Sequence, residues 1–367
     1  MGNDVHIVTT SYAHRLLQEF DYDTETYLYE QTSFKRMGIN DFINVRRMLA
    51  KMPEKKFDII YAPGETFKHI VASSIARRTF KVPVVASFNL FNPDETRAIH
   101  YFLSAFKKGI YGKGTFVHLK IFPRRILATL KCYIRNSFAR NIDLIFSVGS
   151  YLKELLVKMG VNPERIFVIS AGVDFDRIQK VGYEEKVYDA CFMGQIIPRK
   201  GVADLIESWR LVVKEKQDAR LAIMGSGPQK YETVIKHLIK KYGLQNNVSM
   251  LGFVPEDEKY RILKGSRVFV FPSYWEAFAQ AICEAMACEL PVIAYNLPVY
   301  NEFYGDAIMD VDRGDTKGLL LSIIRLLEDK KLQKRMGSDG LEVARQYKWE
   351  NIAKDQLNVI NRRLLSR

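Results

Sequence analysis

The sequence predicts an α/β protein made of two Rossmann-like domains facing each other across a cleft. Three observations predict it. Short apolar, β-branched runs alternate with amphipathic, helix-period stretches along the chain, the pattern of parallel sheets with helices on both faces. The 367 residues exceed a single domain of about 100–200 residues. A polar break at 179–186 separates two such sets.

In the first set the expected strands are Val5–Thr9, Phe57–Tyr61, Val82–Phe88, Leu144–Val148 and Ile166–Ile169. The second set gives Asp189–Met193, Arg220–Met224, Val248–Leu251, Val268–Phe271, Val292–Ala294 and Ala307–Met309. Helical periodicity runs through Gly201–Glu215, Tyr231–Tyr242 and Asp315–Glu328. A last helix, Trp349–Leu365, carries Ile352, Leu357, Ile360 and Leu364. Ligands of such sheets bind beyond the carboxyl ends of the strands.

Composition narrows the class. With 47% hydrophobic and 26% charged residues, a disordered or collagen-like chain is excluded. Cys132, Cys191, Cys283 and Cys288 form no Cys-x-x-Cys pair, which fits reduced core thiols in a cytoplasmic protein. The start, MGNDVHIVTT, lacks a secretory pattern, and no apolar run approaches the ~18 residues of a spanning helix. Any membrane contact is therefore expected to be peripheral, on the inner face. His6, His14, His69, His100, His118 and His237 show no paired ligand spacing. The three Asp-x-Asp matches at 21–23, 174–176 and 310–312 share no context. A metal site and a cofactor are not expected.

The net charge is +13, and 101–140 contains Lys and Arg but no Asp or Glu. Lys107, Lys108, Lys113, Lys120, Arg124, Arg125, Lys131 and Arg135 surround two helical stripes there. One reading is two domain helices with solvated basic faces. The other is a surface resting on anionic lipid, where each cation contributes about 1 kcal/mol. Aromatics interleave with the bases, but no nucleic-acid motif accompanies them.

Three motifs in the second half carry chemistry. Gly194-Gln195-Ile196-Ile197-Pro198-Arg199-Lys200-Gly201 follows a strand and leads into a helix; its cations suit a phosphate, and it also fits a solvated loop. Met224-Gly225-Ser226-Gly227-Pro228 is a second Gly-rich turn after a strand. The third runs from Pro272-Ser273 through Glu276 to Glu284. If that stretch is helical, the eight-residue interval sets the carboxylates ~12 Å apart along the axis. A retaining glycosidase pair needs about 5 Å. The two could instead grip the ends of one elongated ligand, or simply stand on an amphipathic helix. Free backbone N–H groups near Ala277, Phe278 and Ala279 would face a diphosphate.

In this order, with Gly252-Phe253-Val254, Pro291-Val292-Ile293-Ala294 and Glu302, these motifs resemble the retaining glycosyltransferase family 4, of GT-B fold. Phe146–Asp174 and the helix from Trp349 extend the resemblance. It implies an acceptor-side domain over 1–180 and a nucleotide-sugar-binding domain over 184–345. It also implies a terminal helix, 346–367, crossing back to the first. By the resemblance, Lys200 binds the donor diphosphate with help from Arg199, Glu276 holds sugar hydroxyls and Glu284 the ribose. Gly194, Gln195, Gly225 and the 277–279 amides line the donor, and Phe253-Val254 meet the base. Such enzymes transfer a hexose from a UDP- or GDP-sugar to a glycan or lipid-linked acceptor, without a metal.

Departures are visible. Gln195 stands where Arg is usual, Ala277 and Ala279 replace glycines, and Glu289 stands where Gly is common. Asn89 occupies the place of a His near the reacting centre and is assigned a hydrogen-bonding role on the acceptor side. The opening residues resemble the family's second strand, which implies that one strand–helix unit is missing. Two alternatives follow: a degenerate, non-catalytic protein binding glycan or membrane, and a nucleotide-sugar epimerase of the same fold.

Overall fold

The computed structural model describes residues 6–10, 25–29, 58–62, 67–88, 137, 139–182 and 184–365. Asn89 and the cations Lys107, Lys108, Lys113, Lys120, Arg124, Arg125, Lys131 and Arg135 lie outside the described residues. The same holds for most of the chain's start, where a missing strand–helix unit was expected.

The chain divides into two compact units. The first takes in the described residues of Met1–Ser147, with Leu152–Val168 and Ile360–Arg367; the second is Val148–Tyr151 with Ile169–Val359.

In the first unit, β1 (His6–Thr10) and β2 (Glu25–Tyr29) form a parallel pair. The strand Glu25–Tyr29 was not expected from the sequence. Its pattern, Glu-Thr-Tyr-Leu-Tyr, has no β-branched apolar run to announce it. A four-stranded parallel sheet follows, in the order β3 (Ile60–Ala62), β4 (Val84–Phe88), β5 (Leu144–Ser147), β6 (Ile166–Val168). Helix α1 (Phe67–Phe80) connects β3 and β4. Asp143 ties the start of β4 to that helix: it accepts from Val84 N at 2.9 Å and from Arg77 Nη2 at 2.9 Å. Helix α2 (Ser150–Lys158) lies between β5 and β6; α3 (Phe175–Lys180), which follows β6 in the chain, belongs to the second unit.

The second unit holds β7 (Tyr188–Met193), α4 (Val202–Glu215), β8 (Leu221–Met224), α5 (Gln229–Lys241) and β9 (Val248–Gly252). Then come α6 (Glu256–Lys264), β10 (Ser266–Phe271), α7 (Gln280–Ala287), β11 (Val292–Tyr295) and α8 (Pro298–Phe303). Last are β12 (Ile308–Val311), α9 (Thr316–Glu328), α10 (Lys330–Gln346) and α11 (Trp349–Ile360); the wider turn over Asn361–Leu365 that continues it is counted with the first unit. All six strands are parallel, in the order β12-β11-β10-β7-β8-β9. Residues 190–192, 221–224, 268–271 and 292–295 are buried, as expected of a sheet covered on both faces. Leu205, Ile206, Trp209 and Val212 form the inward stripe of α4.

Local chemistry explains the helix ends. Asp174, Asp315 and Asp329 cap α3, α9 and α10, each side chain accepting from a backbone N–H of the first turn. Two of the Asp-x-Asp aspartates thus have jobs in the fold: Asp174 caps, and Asp176 pairs with Lys348 at 2.6 Å. Helix α7 ends in a Schellman turn, with Leu290 N donating to Ala285 O and Glu289 N to Met286 O. Glu289 holds the left-handed position of that turn, φ 58°, which glycine adopts without strain. Glu289→Gly is therefore expected to stabilise the protein by about 1 kcal/mol, or roughly 2–4 °C in Tm. Thermal unfolding of the variant beside the parent checks this; an unchanged or lower Tm would contradict it.

Candidate active site

Numbered within the second unit, its strands run 3-2-1-4-5-6, with β7 first and β10 fourth. The order reverses between β7 and β10, and crevices at such a switch point hold ligands of doubly wound sheets. The turn after β7 carries Arg199 and Lys200. The loop after β10 carries Ser273, Glu276 and residues 277–279. Topology alone thus brings together residues 76 positions apart in the sequence.

Two glycines make the approach possible. A Cβ on Gly201, at φ 67°, would lie 1.9 Å from Pro272 O. A Cβ on Gly225 would lie 1.9 Å from Gly194 O. The strand-end turns are then cross-braced by backbone bonds: Gly194 N to Met224 O, Ile196 N to Ser226 O, Gly225 N to Gly252 O and Tyr274 N to Arg199 O.

Lys200 Nζ donates to Glu276 Oε1 at 2.6 Å, and Ser273 Oγ donates to the same oxygen at 2.5 Å. Arg199 Nη1 stands 3.7 Å from it and donates to Trp275 O at 2.6 Å, with its guanidinium 5.3 Å from the Trp275 ring centre. The Glu276 side chain is 8% exposed and that of Lys200 13%. Burial pushes the Lys200 ammonium below its ordinary range, and Glu276 opposes that shift.

Tyr274 fixes the two segments side by side. Its hydroxyl donates to Asp204 Oδ2 at 2.7 Å, an oxygen that also accepts from Tyr295 at 2.7 Å. That hydrogen bond is the main reason the Tyr274 phenol is pushed up to about 12. Asp204 lies in the first turn of α4, directly after Lys200 and Gly201. Tyr274 lies inside the third motif but was given no role from the sequence, and Asp204 belongs to none of the motifs; their meeting is a tertiary event.

Glu276 is not helical: α7 begins only at Gln280, so the ~12 Å axial separation expected for a continuous helix does not apply. Glu276 sits on the loop, and Glu284 sits on the helix. The loop leaves through Ala279, the residue preceding α7, held in the left-handed region at φ 65°. An L-residue there is strained, and such strain persists at sites the surroundings over-determine. Glu284 pairs with Lys259 at 3.1 Å, the two side chains 11% and 14% exposed. Burial raises the Glu284 carboxyl, and Lys259 opposes the shift. Lys259 is a further cation that the sequence reading missed.

Other residues fall as follows. Gln195 is exposed. Phe253 is 84% exposed, directly after Gly252, and Val254 is half-buried. The Phe278 ring is buried in an aromatic cluster with Phe303, Tyr304 and Tyr347, and its carbonyl accepts from Tyr304 Oη at 2.8 Å. Within the second unit, Glu302 accepts from Ser150 N at 3.0 Å and from Ser150 Oγ at 2.8 Å. The segment before α3 is held by Val173 N donating to Tyr347 O and by Gln280 Nε2 donating to Gly172 O.

Known proteins share this arrangement of motifs and strands. Residues 174–343 match the family Glycosyl transferases group 1, and residues 1–177 match Glycosyltransferase Family 4. The chain belongs to this glycosyltransferase family. O-antigen chain mannosyltransferase B of Escherichia coli is 29% identical over 242 residues, covering 62% of this chain and 63% of that protein. Mannosylfructose-phosphate synthase of Agrobacterium fabrum is 25% identical, covering 62% and 54%. The chain thus spans little more than half to two thirds of the length of the curated relatives it matches. Among solved structures, Anabaena HepE in complex with UDP-glucose superposes with a TM-score of 0.71 at 18% identity, over 96% of this chain and 91% of that one. A glycosyltransferase from Rickettsia africae gives 0.72 at 15% identity, over 99% of both. The fold is GT-B, as the sequence motifs implied. No helix among the described residues is long and apolar enough to cross a membrane.

Proposed function

We propose that the protein transfers a hexose, with retention at the anomeric carbon, from a UDP- or GDP-linked sugar to a glycan or lipid-linked acceptor at the inner membrane face. The observation that carries this is the Lys200–Glu276 pair, enclosed at the switch point of the second sheet. The names of the relatives agree with it: one is a mannosyltransferase, and a structural neighbour holds UDP-glucose. The cationic sequence 101–140 supports the membrane term.

Each residue has a role in that reaction. Lys200 and Arg199 face the diphosphate, where negative charge builds as the glycosidic bond breaks, so fixed cations lower the barrier. Glu276 accepts hydrogen bonds from sugar hydroxyls, and Glu284 from ribose hydroxyls. The exposed Phe253 and the Val254 backbone meet the base. Free N–H groups at the start of α7 point toward the anionic ligand. Front-face attack, with acceptor and leaving group on one side of an oxocarbenium-like centre, asks no side chain for a covalent bond.

A thermal-shift panel of UDP, GDP, ADP and their common sugars tests the donor class, because a ligand that binds the native state raises Tm by mass action. One nucleotide series is expected to raise Tm, and Lys200→Ala to lose the rise. No shift with any of them would overturn the proposal.

A further inference from the structure

We propose that Lys259 is a positioning residue for the donor nucleoside: it pins one oxygen of Glu284 and leaves the other for the ribose hydroxyls. The inference rests on the donor-site reading above and adds a residue that no motif contains. Lys259 lies on α6 and Glu284 on α7, both in the second unit. Lys259 Nζ donates to Glu284 Oε1 at 3.1 Å, inside side chains that are 14% and 11% exposed. Oε2 of Glu284 accepts from no described residue and keeps contact with solvent. A carboxylate this enclosed is expensive unless a cation compensates it, and Lys259 is that cation. A ribose offers two neighbouring hydroxyls, and an ionised carboxylate oxygen accepts from both. A protonated carboxyl turns one of its oxygens into a donor and loses that match.

The surroundings hold Lys259 to that task. Glu256 Oε1 lies 3.8 Å from its Nζ, and the other oxygen of Glu256 accepts from Arg177 Nη1 at 2.5 Å. Arg177 Nε also donates to Asp257 at 2.9 Å, so α3 fixes the first turn of α6, from which Lys259 reaches α7. The same stretch of chain carries Phe253 and Val254, which the donor-site reading gives to the base, so base loop and ribose clamp share residues 253–259. The charges that bear on Glu284 come from α6: Lys259 lowers its carboxyl against the rise caused by burial, and Glu256 raises it. Helices α3 and α10 and strands β10 and β11 pack against α7 and add no charge to it among the described residues. Its titratable neighbours Tyr260, Cys283 and Cys288 are raised by their own burial and stay neutral.

Titration calorimetry with UDP and with GDP across neutral to alkaline pH, on the parent chain, Lys259→Met, Lys259→Arg, Glu284→Gln and the double variant Lys259→Met with Glu284→Gln, tests the clamp. Lys259→Met is expected to weaken the nucleotide that the parent binds by about tenfold at neutral pH, as for a hydrogen bond to a charged group. Without the cation the Glu284 carboxyl keeps its proton to higher pH, so the lost affinity is expected to return as pH rises. Lys259→Arg, which keeps the charge, is expected to stay within about threefold of the parent. In the Glu284→Gln background Lys259→Met is expected to cost under about twofold, because no carboxylate is left to position. Unchanged affinity in Lys259→Met overturns the proposal. An equal loss in both backgrounds also overturns it, since the ammonium would then touch the ligand itself. A loss that is the same at every pH and is not rescued by Lys259→Arg would reveal a merely structural lysine and overturns it too. Should Lys259→Met fail to fold, Lys259→Gln, which keeps a hydrogen-bond donor and drops the charge, is read by the same outcomes. If the parent chain binds neither nucleotide, the donor-site reading fails and this inference with it; parent binding with an indifferent Lys259→Met removes this inference alone.

Discussion

Glu276→Gln is expected to lower glycosyl transfer by a factor of about 10²–10³, the scale for deleting one group that acts on transition-state charge. The fold should survive. Glu276 lies on a loop before α7, outside the regular elements, and glutamine keeps an oxygen for Lys200 and Ser273. Affinity for bare nucleoside diphosphate should not fall with activity. In the wild-type chain Lys200 must leave a 2.6 Å ion pair to reach a phosphate, and in the variant it leaves only an amide. Turnover measured beside calorimetric nucleotide affinity separates the two quantities. Wild-type turnover, or affinity lost in step with turnover, would remove Glu276 from its assigned role.

Lys200→Ala is the second large effect, and it has a different signature. Donor affinity and rate should both fall, each by about tenfold or more, because the interaction is made with the bound diphosphate and strengthens in the transition state. The variant also leaves Glu276 buried with only Ser273 and Arg199 beside it, so some stability is lost. The double variant Lys200→Ala with Glu276→Gln should recover that stability without recovering transfer. Unfolding curves for the three variants, read against donor affinity, distinguish lost binding from lost folding. Wild-type donor affinity in Lys200→Ala would contradict the assignment.

Both predictions concern residues that stood out in the sequence as motif members. Lys200 and Glu276 were legible because each follows an expected strand and precedes a helical stretch, in the place where an α/β sheet presents its ligand loops. Ala279 and Glu289 were legible only as departures. The sequence marked them as non-glycines in glycine positions, and the backbone angles of 65° and 58° supply the physical meaning.

The sequence by itself determined the class. Period-two and period-3.6 hydrophobicity are local properties, so they marked the strands of the second unit and its helices α4, α5 and α9 to within a few residues, while α6, α8 and α10 were not expected. They fail where a strand lacks an apolar run, as at Glu25–Tyr29. Only the tertiary structure decided which oxygen Lys200 binds, that Asp204 holds Tyr274 and Tyr295, and that Lys259 faces Glu284. Those pairings join residues 25 to 91 positions apart. Strand order and the close approach permitted by Gly201 and Gly225 set them, and periodicity along the chain carries no trace of either.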